Sequence, residues 1–164
     1  MKAGLGSAPH VYAVLFTGCR MPDTRFQMPA SGILIYLASM KDIATRADIE
    51  LLITSFYKKV TADPVIGYIF NDIAKVDWPK HMPVMFDFWE SALFGTGVYT
   101  GNPIVVHKAL HQQIPLTAAH FERWLYLFDA TVDELFEGDK SVLAKQRAMS
   151  IATVIRMKIV SREA

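Results

Sequence analysis

The stretch TRADIELLITSFYKKV, residues 45–60, decides the fold. Its apolar residues Ile49, Leu52, Ile53, Phe56 and Val60 recur at helical spacing, so one face of the segment can be buried while the other stays wet. Thr45 can cap this helix, and Asp48 three residues on makes an acidic variant of the capping box. Tyr57 follows Phe56 at the edge of the stripe. Asp63-Pro64 ends the helix, because proline disfavours helical backbone in the residue before it. An apolar stripe of this length needs partners, and the rest of the chain supplies further helices.

Val65 to Phe70 reads as a short helical turn before the polar pair Asn71-Asp72. The pattern predicts a second long helix over Trp78 to Phe94, with Pro79 in its first turn and Pro83 removing one backbone donor. A loop follows from Gly95 through Tyr99 to Gly101. Asn102-Pro103 then pairs a capping side chain with a proline preset for the first helical position, opening a short helix to Gln112. Thr117 starts a longer one with Phe121, Trp124, Leu125, Phe128, Val132 and Leu135 inward, and Gly138 is expected to stop it. Asp139 is expected to cap a last helix, with Val142, Leu143, Gln146, Met149, Thr153, Val154 and Met157 on related faces. No strand alternation of useful length and no internal repeat interrupts this pattern. The prediction is an all-α domain of about four main helices with two or three short ones.

Composition agrees with one domain: 164 residues, 52% of them hydrophobic, can bury a sizeable core. A formal charge of +1 with no basic stripe gives no reason to expect nucleic acid or an anionic membrane as partner. Cys19 is the only cysteine, which excludes an intrachain disulfide, a cysteine zinc site and a CxxCH haem attachment. A reducing, cytoplasmic compartment is the expectation. Residues 1–39 are richer in glycine and proline, and their apolar runs Val11 to Phe16 and Gly32 to Ala38 are too short to span a bilayer. They lack a signal-peptide pattern, and Phe16 sits badly in the faint lipoprotein-like site before Cys19. Residues 1–39 therefore read as a poorly ordered extension, with a translation start at Met40 preferred over a functional tail, and residues 40–164 as the domain.

The polar residues in the apolar stripes carry the chemistry. His107 shares a helix face with Ile104, Leu110 and His111 and could present a neutral imidazole to a haem iron, its other nitrogen bonded to the carbonyl of Pro103. A core histidine bonded to backbone accounts for the same position. His107 and His111, four residues apart, could also join His81 around zinc. Tyr57 and Trp124 are donors of the kind that stabilise a ligand gathering negative charge in a dry pocket, and His81 could line that pocket; each is also an ordinary amphipathic core or surface residue. Phosphate loops and Ser or Cys nucleophile motifs do not occur.

From about Asp48 to Met157 the chain resembles a truncated haemoglobin of the third group. The matching segments are Ser55-Phe56-Tyr57, Ile66 to Asn71, Trp78-Pro79-Lys80-His81 with Phe88-Trp89, Gly101-Asn102-Pro103 through His107 and Leu110, and Pro115-Leu116-Thr117 leading to His120 to Leu125. The resemblance implies a globin-like 2-on-2 helical sandwich around a b-type haem (iron protoporphyrin IX). It implies His107 as the iron ligand, Tyr57, His81 and Trp124 as distal polar residues, and Phe56, Phe70, Met85, Phe88 and Trp89 packed on or near the haem. Pro83 and the second imidazole of His111 depart from the simplest form of that pattern.

The function expected from these readings is binding of O2 and other diatomic gases (NO, CO) at haem iron. Two alternatives stay open: a haem enzyme of NO dioxygenation or peroxide reduction served by an external reductase, and a haem-free helical interaction module.

Overall fold

The computed structural model describes residues 40–160, with the side chain of Val160 excepted. The expectations for residues 1–39 lie outside this range. Within it the chain is helical: α1 (Arg46–Ala62), a π-helical turn (Ile69–Ile73), α2 (Trp78–Phe94), α3 (Pro103–Gln113), α4 (Ala118–Leu135) and α5 (Asp139–Val160). Helix α1 packs on α2 and on α4, α4 packs on α5, and α5 also meets α2 and α3. Two helix pairs, α1 with α2 and α4 with α5, thus lie one upon the other.

Helix α1 forms as its sequence requires. Thr45 and Asp48 complete the capping box, and Ile49, Leu52, Ile53, Phe56 and Val60 are all fully buried. The carboxylate of Asp48 accepts from the backbone N–H of Ala44 and Thr45 and from the Thr45 hydroxyl, and it pairs with Lys41. Burial by itself would raise its pKa, but the Lys41 ammonium and these donors outweigh burial and hold it at about 2. At the other end Asp63 Oδ1 accepts from the N–H groups of Val65 and Ile66, while Oδ2 accepts from Arg123 of α4 at 2.8 and 2.7 Å. A side chain at Gly67 would stand 2.9 Å from the carbonyl oxygen of Thr61, so only glycine lets the chain fold back this closely on α1.

Three expectations are corrected here. The short helical turn forms from Val65 to Phe70 as expected but does not end before Asn71-Asp72: it runs on through them as a π turn, with the N–H of Ala74 donating to Ile69. The Asn71 side chain does not stop it, because it donates instead to the carbonyl of Thr61. Second, α4 ends at Leu135, before Gly138, because Phe136 turns extended and drives its ring into the core. Third, the inward face of α5 is Ser141, Ala144, Ala148, Ala152, Ile155 and Ile159, whereas Val142, Met149, Val154 and Met157 are exposed. Small residues win because α4, α2 and α3 all approach this helix, and bulk at those positions would hold them off.

Asp139 does not cap α5 either; it is the first residue of the helix. The cap comes from far upstream. Asp42 accepts from the N–H groups of Lys140 and Ser141 and from the Ser141 hydroxyl, at 2.8 to 2.9 Å. Gly138, with φ at +146°, passes so near that an added Cβ would lie 2.4 Å from the Asp42 carboxyl carbon. Nothing local in residues 136–142 signals this arrangement.

Asp42→Ala should therefore lower stability by about 1 to 2 kcal/mol in urea unfolding, the typical cost of a lost helix cap, although the residue belongs to no helix. Acid should destabilise the fold as well. The carboxylates of Asp42, Asp48 and Asp63 lie below their usual value because the donors around each outweigh its burial, so their contribution is present above about pH 4 and is lost as pH falls toward 2. Asp129, raised by burial, works in the opposite sense but stands alone against three. Unfolding monitored by circular dichroism from pH 6 to 2 reads the sign directly.

Candidate functional site

Where the two helix pairs meet, they do not close completely. A cavity of about 280 Å³ remains, walled by α1, the π turn, α2, α3, α4 and α5. Its position follows from the aromatic packing beside it. Phe128 of α4 is fully buried and stacks on Trp89 of α2 at 4.5 Å and on Trp124 at 5.6 Å, while meeting Phe56 of α1 edge-on at 5.2 Å. These rings hold three helices at fixed separations, and the cavity opens next to them.

Tyr57 stands on the α1 side. Its ring is 5.0 Å from Phe56, 5.3 Å from Trp78 and 5.6 Å from His81, centroid to centroid, which fixes its direction. Burial pushes the phenol well above its usual pKa, so the hydroxyl keeps its proton. Trp124 of α4 lines the same space. Among the described residues neither the Tyr57 hydroxyl nor the Trp124 indole N–H has a hydrogen-bond partner. Two donors thus open on a mainly apolar space.

His107 stands on α3, whose start is fixed by Asn102 accepting from the N–H groups of Ile104 and Val105. Its Nδ1 lies 2.7 Å from the carbonyl of Pro103, the acceptor expected one turn earlier. A carbonyl can only accept, so the proton sits on Nδ1 and the lone pair is on Nε2. Burial lowers the pKa of this imidazole despite the Pro103 bond, which acts in the opposite direction; the ring is held neutral.

The structure brings together Tyr57, Phe70, His81, Met85, Phe88, Trp89, His107 and Trp124 around one cavity. Phe56 is the exception. It lies one layer back, fully buried, and supports the rings of Tyr57 and Trp124 from behind. His111 is engaged elsewhere, its Nδ1 accepting from the N–H of Leu116 at 2.9 Å, and so holds the link from α3 to α4. The zinc alternative has no counterpart, since no group of three or more His, Cys, Asp or Glu among the described residues could hold a metal ion. His120 is at the start of α4 and also reaches the cavity. Sequence reasoning missed Tyr99, which packs edge-on against Phe88, and the α5 wall of Ile151, Ala152 and Ile155. The alanines at 144, 148 and 152, four apart, were the available signal for that wall.

This donor set suits a flat, mainly apolar group carrying a metal: the neutral His107 imidazole with a free lone pair, two hydrogen-bond donors, the further imidazoles of His81 and His120, and mostly hydrocarbon and aromatic walls.

Comparison with known proteins agrees with this geometry. The family model described as bacterial-like globin matches residues 40–160. The group 3 truncated haemoglobin of Campylobacter jejuni is 32% identical over 108 residues, covering 64% of this chain and 83% of the relative. The crystal structure of a group III truncated haemoglobin from Campylobacter jejuni superposes with a TM-score of 0.65 at 29% identity, over 76% of this chain and 99% of that one. A 2/2 haemoglobin from Synechococcus sp. PCC 7002, solved in the cyanomet state and with covalently attached haem, shares the fold with a TM-score of 0.60 at 24% identity, over 73% and 94% of the two chains.

Proposed function

From the premise that the chain belongs to the bacterial-like globin family, and within it to the group III truncated haemoglobins, we propose that His107 is the protein ligand to the iron of a non-covalent b-type haem and that O2 is the physiological guest. That family binds haem and, through it, diatomic gases; the residue roles, the haem type and the choice of gas are the proposal. The observation that carries it is the hydrogen bond from His107 Nδ1 to Pro103, which commits Nε2 to the cavity lined also by Tyr57 and Trp124.

When bound, haem supplies a ferrous iron able to take up O2, NO or CO. The chain does the rest. Phe70, Met85, Phe88 and Trp89 supply apolar contact to the flat faces and keep water out, and Phe56 braces Tyr57 and Trp124 from one layer back. Tyr57 and Trp124 donate to a guest that gathers negative charge, and His81 stands beside Tyr57. One feature supports non-covalent attachment: the single cysteine, Cys19, cannot form a CxxCH pair. The lone cysteine also favours the cytoplasm, and no helix among the described residues is long and apolar enough to cross a membrane. Turnover chemistry on NO or peroxide would draw electrons from an external reductase.

Two experiments test the reading. Protein reconstituted with haemin should show a Soret band; His107→Ala should lose most of its haem to apomyoglobin while His111→Ala retains it, and the reverse order would refute the ligand assignment. Tyr57→Phe should speed O2 dissociation by about tenfold or more, since a hydrogen bond to a charged group is worth roughly 1.5 to 3 kcal/mol. An unchanged rate in stopped flow would remove Tyr57 from that role.

A further inference from the structure

Tyr57 lines two spaces. One is the cavity described above; the other is a hollow of about 230 Å³ in the surface between α1 and α2, lined by Thr54, Tyr57, Lys58, Thr61, Trp78 and Met82. Among the described residues Tyr57 is the one that borders both. Trp78, the first residue of α2, is partly exposed and lies against Tyr57 with 5.3 Å between ring centroids. It also lies nearly parallel to Phe70, at 6.4 Å and 21°, and Phe70 lines the cavity as Tyr57 does. Neighbouring aromatic rings thus join the surface hollow to the interior.

The way this wall is held decides what can cross it. The Tyr57 ring, 7% exposed, is packed by Phe56 at 5.0 Å, Trp78 at 5.3 Å, His81 at 5.6 Å and Phe70 at 6.1 Å. A ring held on so many sides cannot swing aside for a molecule unless α1, the π turn or α2 gives way. An electron needs no such movement.

An electron that moves inward leaves a positive charge behind, and burial sets the cost of that charge. At Tyr57 it would sit in an apolar interior, on a phenol that keeps its proton. At Trp78 water reaches the ring, and an indole gives up an electron more readily than an unionised phenol. Trp124 offers an indole too, but its stack runs through Phe128 to Trp89, which is 1% exposed, and ends in the core. The hollow around Trp78 also has a charge to offer. Lys58 is exposed there, and no carboxylate among the described residues pairs with it. The Thr61 hydroxyl is spent on the carbonyls of Tyr57 and Lys58. An indole, the Met82 side chain and a free ammonium suit a small, oxidisable anion.

We infer that the hollow between α1 and α2 is an electron-entry site, where a small anionic reductant is oxidised at Trp78 and its electron passes by way of Tyr57 and Phe70 to the haem cavity during turnover of hydrogen peroxide. This rests on the haem reading above and adds a small-molecule electron source to the reductase named there. The balance is simple. Hydrogen peroxide takes two electrons and two protons, its O–O bond breaks, two O–H bonds form and two waters leave. The electrons come one at a time from Trp78, and two donor molecules restore the indole in turn, each giving one electron and releasing one proton to water. The protein returns unchanged.

The test uses the full chain reconstituted with haemin. After one equivalent of hydrogen peroxide, freeze-quench electron paramagnetic resonance should show a tryptophan-centred radical, and a nitroso spin trap should leave its adduct on Trp78 by peptide mass spectrometry. Trp78→Phe, which keeps a packed ring but has no indole, should lose that adduct and most of the rate of ascorbate oxidation, while the Soret band still responds to peroxide as fast. Trp78→Tyr should recover much of the rate, now with a tyrosyl signal, and Tyr68→Phe should change neither readout. Lys58→Glu should raise KM for ascorbate several-fold without lowering kcat, leave KM for the neutral phenol guaiacol unchanged, and lose its effect in high salt. An adduct found only at other residues, full ascorbate oxidation in Trp78→Phe, or no reaction with peroxide would overturn this inference and leave the haem reading standing. An unchanged ascorbate KM in Lys58→Glu would overturn the choice of an anion. No Soret band at all would overturn both readings. The adduct map needs no substitution, so the inference remains decidable if Trp78→Phe fails to fold.

Discussion

The stacking of Trp89 on Phe128 is the contact on which the rest of the structure depends. It joins α2 to α4 across the two helix pairs, at a 4.5 Å centroid separation and with both rings essentially inaccessible. Through Phe128 it reaches Trp124 on the same helix and Phe56 on α1, so one buried ring sets the spacing of three helices. Large flat side chains pack densely against each other, but they do not collapse like aliphatic ones when a neighbouring space is left open. The same stack that makes the core rigid therefore keeps a cavity beside it, and Tyr57 and Trp124 are held at its edge by rings that cannot move aside.

The second constraint is electrostatic and works at the ends of the helices. Asp42, Asp48 and Asp63 each gather several donors that outweigh the cost of burial. Asp48 starts α1, Asp63 ties the end of α1 to Arg123 of α4, and Asp42 starts α5. Carboxylates used in this way place helices relative to one another more firmly than apolar contact does, because a hydrogen-bonded cap has a direction and a hydrophobic face does not. The cavity wall supplied by α5 is positioned by residues that come before α1 in the chain.

Much of the site was legible in the sequence because its positions carry local signals. Asn102-Pro103 announces the start of α3, and His107 one turn later can bond only backward to Pro103 or outward. The stripe of α1 places Phe56 and Tyr57 side by side, one inward and one at the edge. What sequence could not reveal was depth. Phe56 and Tyr57 are adjacent, yet one supports the wall and the other forms it, a distinction set by where Phe128 and Trp124 arrive from another helix. Tyr99 escaped notice because it lies in a loop without periodicity.

By itself the sequence determined the helical class, the ends of α2, the start of α1 and the opening of α3. All of these are settled within one or two turns, by caps, prolines and hydrophobic period. Only the tertiary structure decided which face of α5 turns inward, that Asp42 caps that helix, and that His111 accepts from Leu116 while His81 packs against Tyr57 and Trp78. Those outcomes depend on groups separated by up to 99 residues, as Asp42 and Ser141 are, and no local pattern encodes which of several equally apolar faces a distant helix will meet.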